Sequence, residues 1–239
     1  MSLIRESGAS AGERLRLKIG LVLPVLVDAG DRLIAHPRVR DLYPEYLFAS
    51  HCVIRASVPL MEAGVAEATT RADGDPVAAA VATYLEHHIP EELDHDAWLL
   101  DDLEVLGRPR EEVLARLPSA TVASLVGAQY YWMLHYHPVA LLGYIGVLEG
   151  YPPSPQMIDE LAARTGYPRE AFRTMAAHAE LDPSHGDELF ELIDSLALTR
   201  EQAGVMGLSA MHTVDMYARA LEEILDDAGD GSSARSEPE

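Results

Sequence analysis

The sequence predicts an all-α protein, and three observations support this expectation. Apolar residues recur at spacings of three and four over long stretches, which is the periodicity of amphipathic helices. No stretch alternates apolar and polar residues convincingly, so no strand is predicted. The chain has 239 residues without an internal repeat or a long linker. We therefore expect a single domain of about seven core helices.

The first half of the chain is predicted to form three long helices. They cover residues 14–35, 39–70 and 77–107. His36 precedes a proline, which disfavours the α conformation and separates the first helix from the second. Pro90 is expected to interrupt the third helix, because an internal proline removes a backbone hydrogen bond.

The second half contains the longest apolar segment of the chain. This segment, residues 122–150, is predicted to be one helix, and a short helix over 110–117 precedes it. The proline-rich residues 151–155 end the long helix, because proline cannot continue it. Three further helices are expected over 156–165, 169–196 and 199–227.

The two ends of the chain differ in composition from its interior. Residues 1–12 are rich in Ser, Gly and Ala and are expected to be flexible, and residues 228–239 form an acidic tail too polar to support a core. The domain is therefore predicted to cover 13–227. Residues 14–30 superficially resemble a signal peptide, but their apolar run is far shorter than the roughly 20 residues that span a bilayer. We expect no membrane association.

Composition limits the partners of the protein. Thirty-nine acidic residues against 18 basic ones give a net charge of −21. This balance argues against nucleic acid and anionic membranes as partners, because both favour dense Lys and Arg. Cys52 is the single cysteine, which excludes an intramolecular disulfide and every multi-cysteine metal site. A reducing, cytoplasmic location is expected.

Three polar residues in the stretch 175–189 are spaced for metal binding. His178, Asp182 and His185 follow one another at intervals of four and three, which places them on one face of a helix. Two imidazoles and a carboxylate on one face suit half of a transition-metal site. A solvated polar face is the alternative, because many other charges surround them. Pro183 lies inside the motif and is expected to distort the helix or make it mobile.

Two other segments offer acids and imidazoles. Glu92 and His95 are three residues apart, a spacing at which side chains share a helix face, and Glu91 is an alternative to Glu92. Glu149 is the one acid of the long apolar segment. Burying it is costly unless it is paired or binds a cation, and exposure at the helix end is the other explanation. Three carboxylates and three imidazoles, enough for two iron or manganese ions, are thus candidate ligands: Glu92, His95, Glu149, His178, Asp182 and His185.

The order of these motifs resembles that of the haem-oxygenase-like di-iron oxidases and oxygenases, iron-containing redox enzymes whose helical fold is shared with TenA and PqqC. The resemblance rests on Glu92-x-x-His95, on Glu149 in an apolar helix, and on His178-x3-Asp182-x2-His185. It implies a haem-oxygenase-like bundle in which these six residues bind two iron ions, with dioxygen as co-substrate. It also implies a labile third core helix, and therefore partial iron occupancy that excess Fe(II) completes.

The resemblance further implies the oxidative cleavage, desaturation, decarboxylation or N-oxygenation of a small metabolite, such as an amino acid or another carboxylic acid. No catalytic residue beyond the metal ligands is expected, and an external electron donor and a homodimer are compatible with this chemistry. His88, His135 and Tyr144 are the candidates for substrate contact. His88 shares a face with His95, and His135 precedes Glu149 by 14 residues, close to four helical turns. Packing or hydrogen bonding in the core is the alternative role of His135 and Tyr144.

Four other functions fit parts of the sequence. A haem-binding protein of the same fold would need a proximal histidine, such as His36 or His51, and leaves the His178 motif unexplained. A cofactor-independent, thiaminase-like enzyme would use Cys52 as its nucleophile, but no base lies near it in sequence. A ferritin-like protein would show more Glu ligands and fewer His ligands. A non-catalytic helical interaction protein explains the acidic charge but not the cost of three inward-facing carboxylates.

Overall fold

The fold is all-α. A computed structural model describes residues 8–233, apart from the side chains of Pro183 and of residues 229–233. These residues form eleven α-helices and one 3-10 helix and include no strand, which confirms the predicted fold class and the single domain. In chain order the helices are α1 (Ala11–Ala35), α2 (Val39–Ile54), α3 (Ser57–Arg71), α4 (Pro76–Glu92), α5 (His95–Val105), α6 (Arg110–Ala115), α7 (Ala120–His135), α8 (Ala140–Leu148), α9 (Pro155–Thr165), the 3-10 helix (Arg169–Phe172), α10 (Arg173–Ser195) and α11 (Arg200–Ser233).

Three of the predicted long helices are each divided into two. The division between α2 and α3 lies just before Pro59, which has no N–H to bond the carbonyl four residues earlier. The division between α4 and α5 lies at Asp94, whose φ is 68°, and the division between α7 and α8 contains Pro138. The predicted interruption at Pro90 is wrong, because Pro90 lies inside α4.

The two ends of the described chain are more regular than predicted. α1 begins with a capping box between Ser10 and Glu13, and the Gly12 N–H donates to Asp194 at 2.6 Å. Residues close to the start of α1 are thus part of the fold rather than a flexible segment. α11 continues past its predicted end. The remainder of the two predicted terminal segments, 1–7 and 234–239, lies outside the described residues.

α11 is the central helix of the bundle and packs along α1, α7 and α8. Gly143 of α8 permits the close contact, because a Cβ atom there would overlap the carbonyl oxygen of Met206. Between α7 and α11 the Ser209 hydroxyl donates to the buried Gln129 amide oxygen at 2.7 Å. These contacts fix the position of α8. No helix in residues 8–233 has both the length and the apolar character that a bilayer crossing requires.

The start of α10 is anchored by α5 and α2. The Thr174 N–H donates to the buried Asp102 carboxylate of α5 at 2.9 Å. Tyr43 of α2 stacks on Phe172, with ring centroids 4.7 Å apart, and its hydroxyl donates to the Ala171 carbonyl at 2.9 Å. The first turn of α10 is therefore held by directed hydrogen bonds as well as by apolar packing.

Candidate metal centre

Four helices converge at one buried place in the bundle. α4 ends there with Glu92, α5 begins there with His95, and Glu149 follows the last residue of α8. α10 contributes three side chains from its middle. The structure thereby brings together all six residues that the sequence singled out as metal ligands: Glu92, His95, Glu149, His178, Asp182 and His185.

Two groups of three side chains can each hold a metal ion. One group is Glu92, His95 and His178, and the other is Glu92, His88 and His185. Within each group the ligand atoms all lie within 4.8 Å of one another. Both groups consist of two imidazoles and one carboxylate, and Glu92 belongs to both. Two histidines and one carboxylate are the ligand set of many non-haem Fe(II) oxygenases.

The spacing and hydrogen bonding of these side chains are compatible with a bound metal ion. Two donors at roughly 2.0–2.2 Å from one ion lie at most about 4.4 Å apart, so small side-chain rotations suffice to close each group. Three buried atoms of the cluster have no hydrogen-bond partner among the described residues: His95 Nδ1, His185 Nδ1 and Glu149 Oε2. An unpaired buried polar atom costs about 1–3 kcal/mol. A bound cation would satisfy these atoms.

His178 is oriented for ligation by its own helix. Its Nδ1 donates to the Thr174 carbonyl at 2.8 Å, which places the proton on Nδ1 and leaves the Nε2 lone pair free. Its ring meets the His95 ring edge-on at 5.0 Å between centroids. Trp98 packs against His95 with ring centroids 4.0 Å apart and meets the His178 ring edge-on at 6.2 Å. Trp98 was not among the site residues predicted from the sequence, although a residue three positions after His95 lies on the same face of a helix.

His88 belongs to the ligand cluster, whereas the sequence analysis placed it toward substrate. It is 2% exposed, and its Nε2 lies 2.8 Å from Glu149 Oε1. Its Nδ1 lies 3.1 Å from Glu91 Oε2. The Tyr84 ring stacks on His88 with centroids 5.3 Å apart. Because the side chain of Glu91 is 36% exposed and that of Glu92 is 9% exposed, the geometry favours Glu92 as the ligand.

Glu92 and His95 approach each other across a helix break rather than on one helix face. α4 ends at Glu92, and Asp94 adopts a left-handed conformation before α5 begins. His95 Nδ1 nevertheless lies 3.2 Å from Glu92 Oε2, without the angle of a hydrogen bond. Glu91 and Glu92 occupy the last turn of α4, not the first turn of a continuation. Carboxylates are electrostatically unfavourable at a helix C-terminus, so their presence there calls for a role other than helix stability.

Glycine allows α10 to approach the end of α8. A Cβ atom on Gly186 would lie 3.2 Å from the Glu149 carbonyl oxygen, so only a small residue fits without displacement. The neighbouring His185 Nδ1 lies 4.0 Å from Glu149 Oε2. α10 is continuous through position 183, so the predicted distortion of this helix is not a break.

Burial and mutual charge shift the pKa values of the carboxyl groups. Burial, followed by the charges of Glu149 and Glu92, raises the pKa of Asp182 to about 8. Burial also raises the pKa of Glu149. Burial opposes ionisation of Glu92 as well, but the nearby imidazoles of His95 and His88 outweigh it and lower the pKa of Glu92. A bound cation would therefore displace protons from the carboxyl groups whose pKa values are raised.

The imidazoles of the cluster shift in opposite directions. Burial lowers the pKa of His178, which favours the neutral form that binds metal. Burial acts in the same direction on His88, but Glu149 outweighs it and raises the pKa of His88 to about 9. The contact with Glu149 thus favours the protonated form of His88.

The cluster forms the inner wall of a cavity of about 550 Å³. Glu92, Glu149, His178 and Asp182 line this cavity together with Tyr144, all of them buried or nearly so. The hydroxyls of Tyr144 and Ser57 lie 3.4 Å apart. The predicted position of Tyr144 beside the site therefore agrees with the geometry, and its ring is part of the cavity wall. A cavity of this size holds a small-molecule ligand.

Several residues weighed from the sequence lie away from the cluster. His135 is exposed at the end of α7 and does not line the cavity, because the chain turns between α7 and α8 and the expected phase with Glu149 is lost. His137 contacts the N-cap carboxylate of α4 at 2.9 Å. His36 bonds within its own turn, and His51 bonds the Asp96 carbonyl at 3.2 Å. Neither of these lines the cavity, and neither does Cys52.

The chain resembles known proteins in sequence and in fold. The model of a family described as iron-containing redox enzymes matches residues 50–233. No curated protein matches the chain significantly. Among solved structures, a domain of unknown function with a heme oxygenase-like fold from Shewanella denitrificans is 18% identical, with a TM-score of 0.78 over 95% of this chain and 97% of that one. A TenA homolog from Pseudomonas syringae pv. tomato is 15% identical, with a TM-score of 0.65 over 95% and 97%. A CADD-like protein of unknown function from Nostoc punctiforme is 15% identical, with a TM-score of 0.62 over 95% and 99%.

Proposed function

The chain belongs to the family of iron-containing redox enzymes, and from this premise we propose that it is a non-haem di-iron enzyme that uses dioxygen to oxidise a small metabolite. The observation that supports this most directly is the pair of ligand groups that share Glu92. Each group has the two-histidine, one-carboxylate composition of non-haem Fe(II) sites. Glu92, which both groups share, and His178 of the first group line a cavity large enough for a substrate.

The chain offers a complete set of ligands for two ions. Glu92, His95 and His178 would hold the first ion, and Glu92 and His185 would hold the second. Glu149, Asp182 and His88 complete the second set, since all three are buried beside it. Bound iron would supply the electrons that reduce dioxygen and the oxidising power that acts on substrate. An external electron donor and a homodimeric assembly are part of the proposal.

The protein's own groups prepare the site for this chemistry. The Thr174 carbonyl fixes the tautomer of His178. The hydrogen bond between His88 Nε2 and Glu149 Oε1 holds a proton that must leave before both groups can bind metal. Trp98 restrains the His95 ring by packing against it. The walls of the cavity beside the cluster are mostly aliphatic.

Partial loading is expected for the second ion. Its ligands include the two carboxyl groups with raised pKa values, Glu149 and Asp182, and each must lose its proton before it binds metal. We therefore expect the protein to be isolated with less than full occupancy and to reach two ions per chain under excess Fe(II). A tight single site that never admits a second ion would contradict this.

Oxygen consumption by the anaerobically loaded protein tests the function. The Fe(II)-loaded chain is mixed with air-saturated buffer and a panel of amino acids and other carboxylic acids, and products are identified by mass spectrometry. Substrate-dependent oxygen uptake with a product changed in mass supports the proposal. An absorption spectrum with a haem Soret band, or an iron-free chain that turns over substrate equally well, would refute it.

A further inference from the structure

The cavity beside the metal cluster has a polar inner end and long apolar walls. Its inner end is formed by the cluster residues, whereas α1, α2, α8 and α9 supply mostly aliphatic walls, among them Leu26, Ile34, Leu47, Ile145 and Leu161. Three exposed residues, Val27, Asp31 and Ser154, also line the cavity. The cavity therefore connects the cluster to the surface between α1 and the segment that follows α8.

Two pairs of hydroxyl groups along the walls lie within hydrogen-bonding distance of each other, whereas the buried Thr174 hydroxyl has no partner among the described residues. The hydroxyls of Ser50 and Tyr217 lie 3.0 Å apart, and those of Ser57 and Tyr144 lie 3.4 Å apart. Within the described part of the chain, no Lys or Arg lines the cavity. A zwitterionic amino acid would thus have to bury an ammonium and a carboxylate among mostly apolar walls, where the carboxylate meets no cationic side chain, and burying an unpaired charge is costly.

The charge of the loaded cluster selects the head group of a ligand. Glu91, Glu92, Glu149 and Asp182 bring four negative charges, and two divalent ions would cancel them, so bound metal removes the charge that repels an anionic head and offers it open coordination positions. An anionic head is favoured there when metal is bound and disfavoured when it is not. The exposed Asp31 lines the outer part of the cavity, and it offers no anchor for an anion at the surface.

We infer that the substrate is an aliphatic monocarboxylate, with its carboxylate at the metal cluster and its chain along the apolar walls. This inference rests on the proposed function and narrows its substrate class from amino acids and carboxylic acids in general to acids with an extended hydrocarbon chain. The chain supplies the binding free energy through apolar burial, and the metal supplies the recognition of the head.

Binding to the Mn(II)-loaded protein tests the inference without catalysis. The Mn(II) titration itself is the first step, since a chain that binds no metal refutes the proposed function before any ligand is added. Hexanoate, octanoate, dodecanoate, leucine and dodecylamine are then titrated by calorimetry into loaded and metal-free protein. We expect the Kd to fall about fourfold per buried methylene along the acid series. We also expect dodecanoate to bind the loaded protein at least tenfold more tightly than leucine, and more tightly than it binds metal-free protein.

Two leucine variants of α1 separate cavity binding from surface binding. Leu26 lines the cavity, so Leu26→Trp should weaken dodecanoate binding at least tenfold while leaving the Mn(II) stoichiometry unchanged. Leu21 is 80% exposed and does not line the cavity, so Leu21→Trp should leave both unchanged. The inference would be overturned if leucine bound as tightly as dodecanoate, or if dodecylamine bound more tightly than dodecanoate. It would also be overturned if the two variants changed dodecanoate binding equally.

Discussion

Replacing Asp182 with asparagine tests whether the buried carboxyl groups are kept for metal at the expense of stability. Asp182 is 3% exposed, and its pKa is raised from 3.8 to about 8. The folded protein therefore retains a proton at neutral pH that the unfolded chain has released. Because the pKa of Asp182 is higher in the folded state, the free energy of unfolding is highest below pH 3.8 and decreases as the pH rises toward 8.

The size of this effect follows from the pKa difference. Each pKa unit corresponds to about 1.4 kcal/mol, and about three units separate the unperturbed pKa from pH 7, which gives an upper bound of about 4 kcal/mol. Asparagine must itself be buried as a polar group, so we expect Asp182→Asn to stabilise the metal-free protein at pH 7 by about 2–4 kcal/mol. The gain should vanish as the pH falls below 3.8, where Asp182 becomes protonated in the unfolded chain as well.

Urea unfolding of the chelator-treated protein at several pH values measures this difference. Asp187→Asn is the matched control, because Asp187 lies on the same helix with a side chain 82% exposed, and its effect should stay within about 0.5 kcal/mol. Adding Mn(II) should stabilise the native protein more than Asp182→Asn, since the variant lacks one ligand. A variant that is less stable than the native protein at every pH would refute the reasoning.

Three further predictions concern the shared ligand, the pH dependence and the helix contacts. Glu92→Gln should abolish metal binding at both sites, as measured by elemental analysis, because Glu92 belongs to both groups. The control Glu86→Gln, at an exposed position of the same helix, should leave the metal content unchanged. A Glu92→Gln chain that still binds one full equivalent of metal would contradict a shared ligand. Asp182 and His88 must both lose a proton, with pKa values of about 8 and about 9. The Kd of the second Mn(II) ion should therefore fall at least tenfold per pH unit from pH 6 to 8 and level off only above pH 9. A flat profile would argue against ligation by Asp182. Gly143→Ala should destabilise the protein by about 1–3 kcal/mol, because the added Cβ atom would overlap α11. Gly127→Ala, where a Cβ atom meets nothing within 4 Å, should stabilise α7 by about 0.5–1 kcal/mol. Thermal unfolding of both variants measures these changes, and changes of the opposite sign would contradict them.

The fold class and the ligand segments could be predicted because each depends on local spacing. His178, Asp182 and His185 are four and three residues apart, a spacing that places side chains on one face of any continuous α-helix, and α10 is continuous. The helix order followed from apolar periodicity. Prolines were a less reliable guide, because a proline within a helix and a proline that ends one look alike in sequence. Pro90 is inside α4, whereas Pro138 lies in a true division.

The roles of His88 and His135 could not be predicted, because they depend on contacts between distant parts of the chain. The phase of His135 relative to Glu149 assumed an unbroken helix, which the turn after α7 removes. His88 was placed on the same helix face as His95, but the left-handed residue at Asp94 resets that relation. Its partner Glu149 is 61 residues away in sequence. Only the packing of α4 against the end of α8 reveals this pair.

The number of iron ions per chain is the most direct test of the di-iron proposal. The protein is stripped of metal, titrated anaerobically with Fe(II), and freed of excess metal before its iron is quantified and its Mössbauer spectrum recorded. The two ligand groups that share Glu92 predict two non-haem iron ions per chain, in two distinguishable nitrogen- and oxygen-ligated sites. A plateau at one ion or none, or iron that appears only as haem, would contradict it.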